Sequence, residues 1–159
     1  MLSPAKDSLL ELQDFLPYQL SILANTVSRS LAARYANEFD LTIPQWRVMA
    51  VLGRESGLSA NELVERTAMD KVGVSRAVAG LVRVNRVEQR DDPADGRRRL
   101  LRLTPSGRGV YRRIVPRALD FERTLLSALD RLDRAALKRL LPSLLEAVNR
   151  VTARSVEKE

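Results

Sequence analysis

The chain has 159 residues, the length of one domain with enough material to bury a real core. Lys and Arg total 27 against 20 Asp and Glu, a net charge of +7 that points to an anionic partner: nucleic acid first, an anionic membrane surface second. There is no Cys and no His, which removes disulfides, thiol chemistry and thiolate metal sites, and leaves any hydrolysis to carboxylates, Lys or Tyr.

Leu16, Leu20, Leu23, Val27, Leu31 and Tyr35 recur at steps of three and four, predicting an amphipathic helix from about Pro17 to Glu38. Thr42-Ile43-Pro44-Gln45 has the form of a capping box, opening a second helix through Trp46, Val48, Met49, Val51 and Leu52 that ends near Gly53 to Gly57. Ser59-Ala60-Asn61-Glu62 repeats that form before a short helix reaching Thr67. Asp70 can cap the next helix, which runs to about Val84, and Asn85 follows it where a left-handed residue is needed.

From Val87 the pattern changes to short runs. Val87–Asp91 and Arg98–Leu103 read as two strands, with the turn chemistry of a hairpin in Pro93-Ala94-Asp95-Gly96. Thr104-Pro105 then opens a long helix to about Leu126, which Pro116 should kink. Asp130 begins a last helix, in which Leu137, Leu141, Leu144, Val148 and Val151 step by 4, 3, 4 and 3 like a coiled-coil seam, with Pro142 inside it.

The charge is not spread evenly. Between Arg76 and Arg113 there are eleven Arg, no Lys and four acids (Glu88, Asp91, Asp92, Asp95), so 11 − 4 = +7 and the rest of the chain sums to zero. Arg offers a planar fork that suits phosphate oxygens and guanine edges. Two short helices joined by the tight turn Thr67-Ala68-Met69-Asp70, then a basic hairpin, give the order of a winged helix-turn-helix. On the second of these helices, Val74, Ala77, Val78 and Leu81 share one face, while Val72, Ser75, Arg76, Ala79 and Arg83 lie opposite. That small, basic face suits entry into a major groove, although Arg76 and Arg83 also fit an ordinary solvated helix surface.

Asp91-Asp92-Pro93-Ala94-Asp95-Gly96-Arg97, followed by Leu101, Leu103-Thr104-Pro105 and Gly107, resembles the wing signature of the MarR (multiple antibiotic resistance) regulators of bacterial transcription. Ser59 to Leu81, with Val74, Ser75 and Arg76, resembles that family's helix-turn-helix, and the resemblance extends over nearly the whole chain. Leu16-Pro17-Tyr18 and Pro44-Gln45-Trp46-Arg47-Val48 resemble a subset that includes regulators of aromatic-acid catabolism. Two departures are Asn85, where the family usually has Gly, and Gly73 within the recognition helix.

The resemblance implies a mainly α fold with a small β-hairpin wing. It implies a single unit over 1–159, with a DNA-binding lobe at 40–104 and a helical dimerisation lobe from 5–38 and 105–155. It carries a minor-groove role onto Asp95 and Arg97, groove contacts onto Ser75 and Arg76, and a phosphate contact onto Ser59. The candidate DNA-contacting set is Ser59, Lys71, Val72, Ser75, Arg76, Ala79, Arg83, Arg90, Asp95, Arg97 and Arg98. The apolar faces of the terminal helices are too extensive for a small winged-helix core, so a second copy is expected on Leu16, Leu20, Leu137, Leu141, Leu144 and Val148. A monomeric bundle is the alternative. Family members bind small, often aromatic, acids between their lobes, and Asn25, Arg29, Trp46 and Tyr111 are the candidate lining here; each also fits a purely structural role.

The expected function is therefore a homodimeric, sequence-specific regulator on double-stranded DNA, repressing from a pseudo-palindromic operator and answering to a small effector. No catalytic residue, metal or cofactor is expected. Residues 1–13 show no basic stretch leading into an apolar one, and nowhere do about 18 apolar residues run together, so a cytoplasmic protein without a membrane partner is expected. Two other readings remain open at this stage. Asp91, Asp92 and Asp95 could hold Mg²⁺ in a nuclease, and charge alone could hold an architectural or membrane-surface protein to its partner.

Overall fold

The computed structural model describes residues 10–156. Its elements in chain order are α1 (Leu16–Ala32), α2 (Ala36–Phe39), α3 (Ile43–Arg54), α4 (Ala60–Thr67), α5 (Lys71–Arg83), β1 (Val87–Asp91), β2 (Arg99–Leu103), α6 (Pro105–Ser127) and α7 (Arg131–Val156). The chain divides into two compact units, 1–118 and 119–159. The boundary between these units falls inside α6, because Ile114 is fully buried and Val110, Tyr111, Val115 and Ala118 pack on the core of the first unit. Residues 5–9 of the expected dimerisation lobe lie outside the described residues.

The helix expected from Pro17 to Glu38 is not continuous. It stops at Ala32, turns through Ala33 to Tyr35, and resumes as the four-residue α2. The break lets Tyr35 and Phe39 both enter the core, where they are 1% and 4% exposed; no residue of α1 itself is buried. Side-chain burial here outweighs the local periodicity that would have carried one helix onward.

The middle of the chain forms as its caps dictate. Thr42 and Ser59 each complete a capping box, with Gln45 and Glu62 as the reciprocal partners. Asp70 Oδ1 accepts the Gly73 N–H at 2.6 Å to start α5. Asn85 takes the left-handed conformation at φ 53°, and Ala68 takes it at φ 52° in the turn between α4 and α5. Antiparallel β1 and β2 pair Val87 with Leu103, Gln89 with Leu101 and Asp91 with Arg99. Leu58 adds a short bridge to Leu101, which ties the start of the helix-turn-helix to the wing. One core unites the unit: Trp46, Val48, Met49 and Leu52 from α3, Leu63 from α4, Val74, Ala77, Val78 and Leu81 from α5, with Val87, Leu101 and Leu103 from the hairpin.

Thr104 and Gly107 fasten the wing to α6. The Thr104 hydroxyl donates to the Asn85 carbonyl at 2.6 Å and accepts the Gly107 N–H at 3.0 Å. A Cβ on Gly107 would overlap the backbone carbonyl of Arg86, so only glycine lets α6 start this close to the end of α5. Helix α6 runs through Pro116 without interruption.

In the second unit the end of α6 turns through residues 128–130 into α7. Asp130 Oδ1 accepts the Asp133 N–H at 2.8 Å and so caps α7. Helix α7 buries none of its described side chains: Leu141 and Val148 are each 52% exposed, with Leu137 and Leu144 half-buried.

Candidate nucleic-acid interface

The site begins with α5. Its buried face is Val74, Ala77, Val78 and Leu81, and Lys71, Val72, Ser75, Arg76, Ala79 and Arg83 are all exposed on the remainder. Because the core takes one side completely, the polar side is fixed in direction rather than free to roll. Two small residues, Ser75 and Ala79, keep its middle low, with Arg76 and Arg83 standing beside them. Among the described residues no carboxylate forms an ion pair with Arg76, Arg83 or Arg97. These guanidiniums keep their five donors for an outside acceptor.

The wing tip is held by its own acids. Asp92 Oδ1 accepts the Ala94 N–H at 2.9 Å, and Asp95 Oδ1 accepts the Arg97 N–H at 3.0 Å. Asp92 N–H donates to the Arg98 carbonyl at 2.9 Å and Arg98 N–H to the Asp95 carbonyl at 2.8 Å, closing the loop. Asp95 therefore shapes the backbone that carries Arg97 outward. This accounts for the acids without a metal: Asp91 lies 3.8 Å from Arg99, Asp92 lies 3.9 Å from Arg98, and Asp95 holds the turn.

Ser59 forms the expected capping box, and Arg98 is more committed than its place in the candidate set implies. The Ser59 N–H and hydroxyl both donate to Glu62 Oε2, at 2.8 and 2.7 Å, and Arg98 Nη2 reaches the same oxygen at 3.3 Å. The Ser59 bonds, aided by Arg98 and Arg66, hold the Glu62 carboxyl below the usual carboxylate range and keep it ionised. Arg98 is thus a brace between α4 and the wing, and Ser59 is first a helix cap. Arg90 pairs with Glu88 at 3.0 Å on the outer part of β1.

Two residues that the sequence reading passed over complete this surface. Gln89 and Arg99 join Ala60, Ser75, Val78, Ala79 and Leu101 around a groove of about 210 Å³ between α5 and the wing. The strand alternation carries the signal: Gln89 shares a face with Val87, and Arg99 with Leu101 and Leu103.

The candidate effector residues are differently placed. Trp46 is 8% exposed and its ring lies 5.5 Å from that of Tyr35, so both fill space in the core, and the ring of the half-buried Tyr111 packs on Trp46 at 6.1 Å. Asn25 and Arg29 are exposed on α1, and the structure does not bury them with the rings. Close to that stack, Arg47 Nη2 donates to Ser28 Oγ at 3.2 Å in a part-buried bond, joining α3 to α1.

Comparison with known proteins agrees with this geometry. The family model described as MarR family matches residues 39–98. The transcriptional regulator HosA of Escherichia coli O111:H- is 32% identical over 85 residues, 53% of this chain and 63% of its own length. The chain thus matches less than two thirds of that relative. The PcaV transcriptional regulator of Streptomyces coelicolor, in complex with its natural ligand, superposes with a TM-score of 0.73 at 27% identity, covering 89% of this chain and 99% of that one. A MarR/EmrR family transcriptional regulator from Acinetobacter sp. ADP1 superposes at 0.79 with 25% identity, again over 89% and 99%. Residues 39–98 thus match the family model described as MarR family, and most of the chain shares the winged-helix fold of these regulators.

Proposed function

We propose that this protein is a transcriptional regulator that binds double-stranded DNA sequence-specifically, acts as a homodimer on a pseudo-palindromic operator, and represses from it. The observation that carries the reading is the one-sided burial of α5, which presents Ser75, Arg76, Ala79 and Arg83 outward next to a wing ending in Arg97. In this reading α5 enters the major groove, with Arg76 at base edges and Lys71 and Arg83 toward phosphate. Arg97 enters the adjacent minor groove, where narrow A·T-rich segments concentrate negative potential. Residues 40–104 form the DNA-binding lobe.

Dimerisation falls to the flanking segments 5–38 and 105–155. Their apolar faces include Leu16 and Leu20 on α1, and Leu137, Leu141, Leu144 and Val148 on α7, and a single chain leaves these faces open. A second copy covers them and sets two recognition helices about one turn of DNA apart. A small aromatic or anionic effector modulates binding, a reading supported by the named PcaV complex with its ligand. Among the described residues no helix is long and apolar enough to cross a membrane.

Selection of binders from a random pool of duplex DNA tests the proposal. An inverted repeat with half-sites about 10 base pairs apart is the expected product. A pool that stays unenriched after repeated rounds contradicts sequence-specific binding.

A further inference from the structure

The second unit carries a feature that DNA binding through α5 does not use. The last turns of α6 and the first turns of α7 enclose an open cleft of about 720 Å³, lined by Arg123, Arg131, Arg134 and Lys138 around Leu126 and Ala135. Four exposed cations therefore line one concavity and give it a strongly positive potential. Asp120 pairs with Arg123 at 3.0 Å, and the Arg134 side chain donates to the Asp130 carbonyl at 3.2 Å. Among the described residues no carboxylate forms an ion pair with Arg131 or Lys138.

At about 100° per residue, Arg131, Ala135 and Lys138 lie about 90–150° around α7 from the mean direction of Leu137, Leu141, Leu144 and Val148, and Arg134 lies between the two groups.

We propose that the α6–α7 cleft binds a small molecule bearing a diphosphate. Its volume exceeds that of a single phosphate, and two or more guanidinium forks plus an ammonium match the several oxygens of two linked phosphoryl groups. The Leu126 and Ala135 side chains give an apolar strip on which an organic remainder can rest.

Inorganic pyrophosphate is the probe. Calorimetric titration of the full chain, with ionic strength held constant by NaCl, should show one saturable site per chain. Arg131→Gln combined with Lys138→Gln should weaken it at least about tenfold, and Lys138→Arg should retain it. Arg97→Ala combined with Arg83→Ala, which removes cations from the DNA-facing surface, should leave pyrophosphate binding unchanged while lowering DNA affinity. The proposal is overturned if the wild type shows no saturable heat, if the Arg131/Lys138 variant binds as well as wild type, or if the Arg97/Arg83 variant is the one that loses pyrophosphate.

Discussion

Gly107 shows how one residue can carry an architectural demand. Its missing side chain admits the Arg86 carbonyl, and Gly107→Ala should destabilise the protein by about 1–3 kcal/mol through enforced overlap, measurable as a lower denaturant midpoint at unchanged slope. An unshifted midpoint would mean that the backbone relaxes without cost. Tyr35 carries a demand of another kind. Burial pushes its phenol up to about 12, against a smaller opposing effect of Arg47, from an ordinary value of 10.0. The folded state thus holds the phenol proton more tightly than the unfolded chain does. That stabilisation is complete below pH 10 and is lost as pH rises from 10 to about 12, about 2–3 kcal/mol in all. Urea titrations across this range should show Tyr35→Phe losing less stability than wild type; parallel losses would remove Tyr35 from the account. Neither the Gly107 contact nor the Tyr35 environment is legible locally. Both depend on what lies across the fold, whereas Asn85 announces its left-handed backbone by its place after a helix.

At the scale of elements, the sequence spoke most clearly where hydrogen-bonding side chains end a helix. Thr42, Ser59 and Asp70 mark their helix starts within a residue, since each side-chain oxygen answers a specific orphan N–H. Periodicity alone misled at Ala33–Tyr35, where the demand for two aromatic rings in the core ended α1 early. In the proposed function α5 and the wing divide the work of binding, and substitution should separate them. Arg76→Ala should cost roughly 1–3 kcal/mol on the selected site and relax preference at one base pair. Arg97→Ala should instead weaken binding most where the flanking minor groove is A·T-rich. Equal losses on every duplex for both variants would place both residues on phosphate. Arg98 illustrates what spacing does not reveal: it belongs to the motif, but Glu62, 36 residues earlier, engages it inside the protein.

For the molecule as a whole, the +7 concentrated between Arg76 and Arg113 and the apolar faces left open on α1 and α7 describe one division of labour. In the proposed reading the basic segment holds DNA, and the apolar faces bring two copies together. Leu141→Asp with Leu144→Asp would bury unpaired charge at the seam, at a cost of several kcal/mol, so sedimentation should show monomers and operator affinity should fall about 10²-fold or more. A variant that stays dimeric and binds normally would move the interface elsewhere. The effector residues were the least legible part of the sequence, because a lone Trp and a nearby Arg read alike in a pocket and in a core, and here Trp46 packs against Tyr35 and Tyr111.

The central claim is specific, Arg-driven DNA binding, and a paired salt titration addresses it most directly. Affinity is measured for the selected inverted repeat and for a scrambled duplex of equal length, from about 50 to 200 mM salt. On the repeat, log affinity should fall steeply with log salt, by about 0.9 per phosphate contact, while the repeat stays at least about 10³-fold tighter than the scrambled duplex. Equal affinities for the two duplexes, or a flat response to salt, would contradict it.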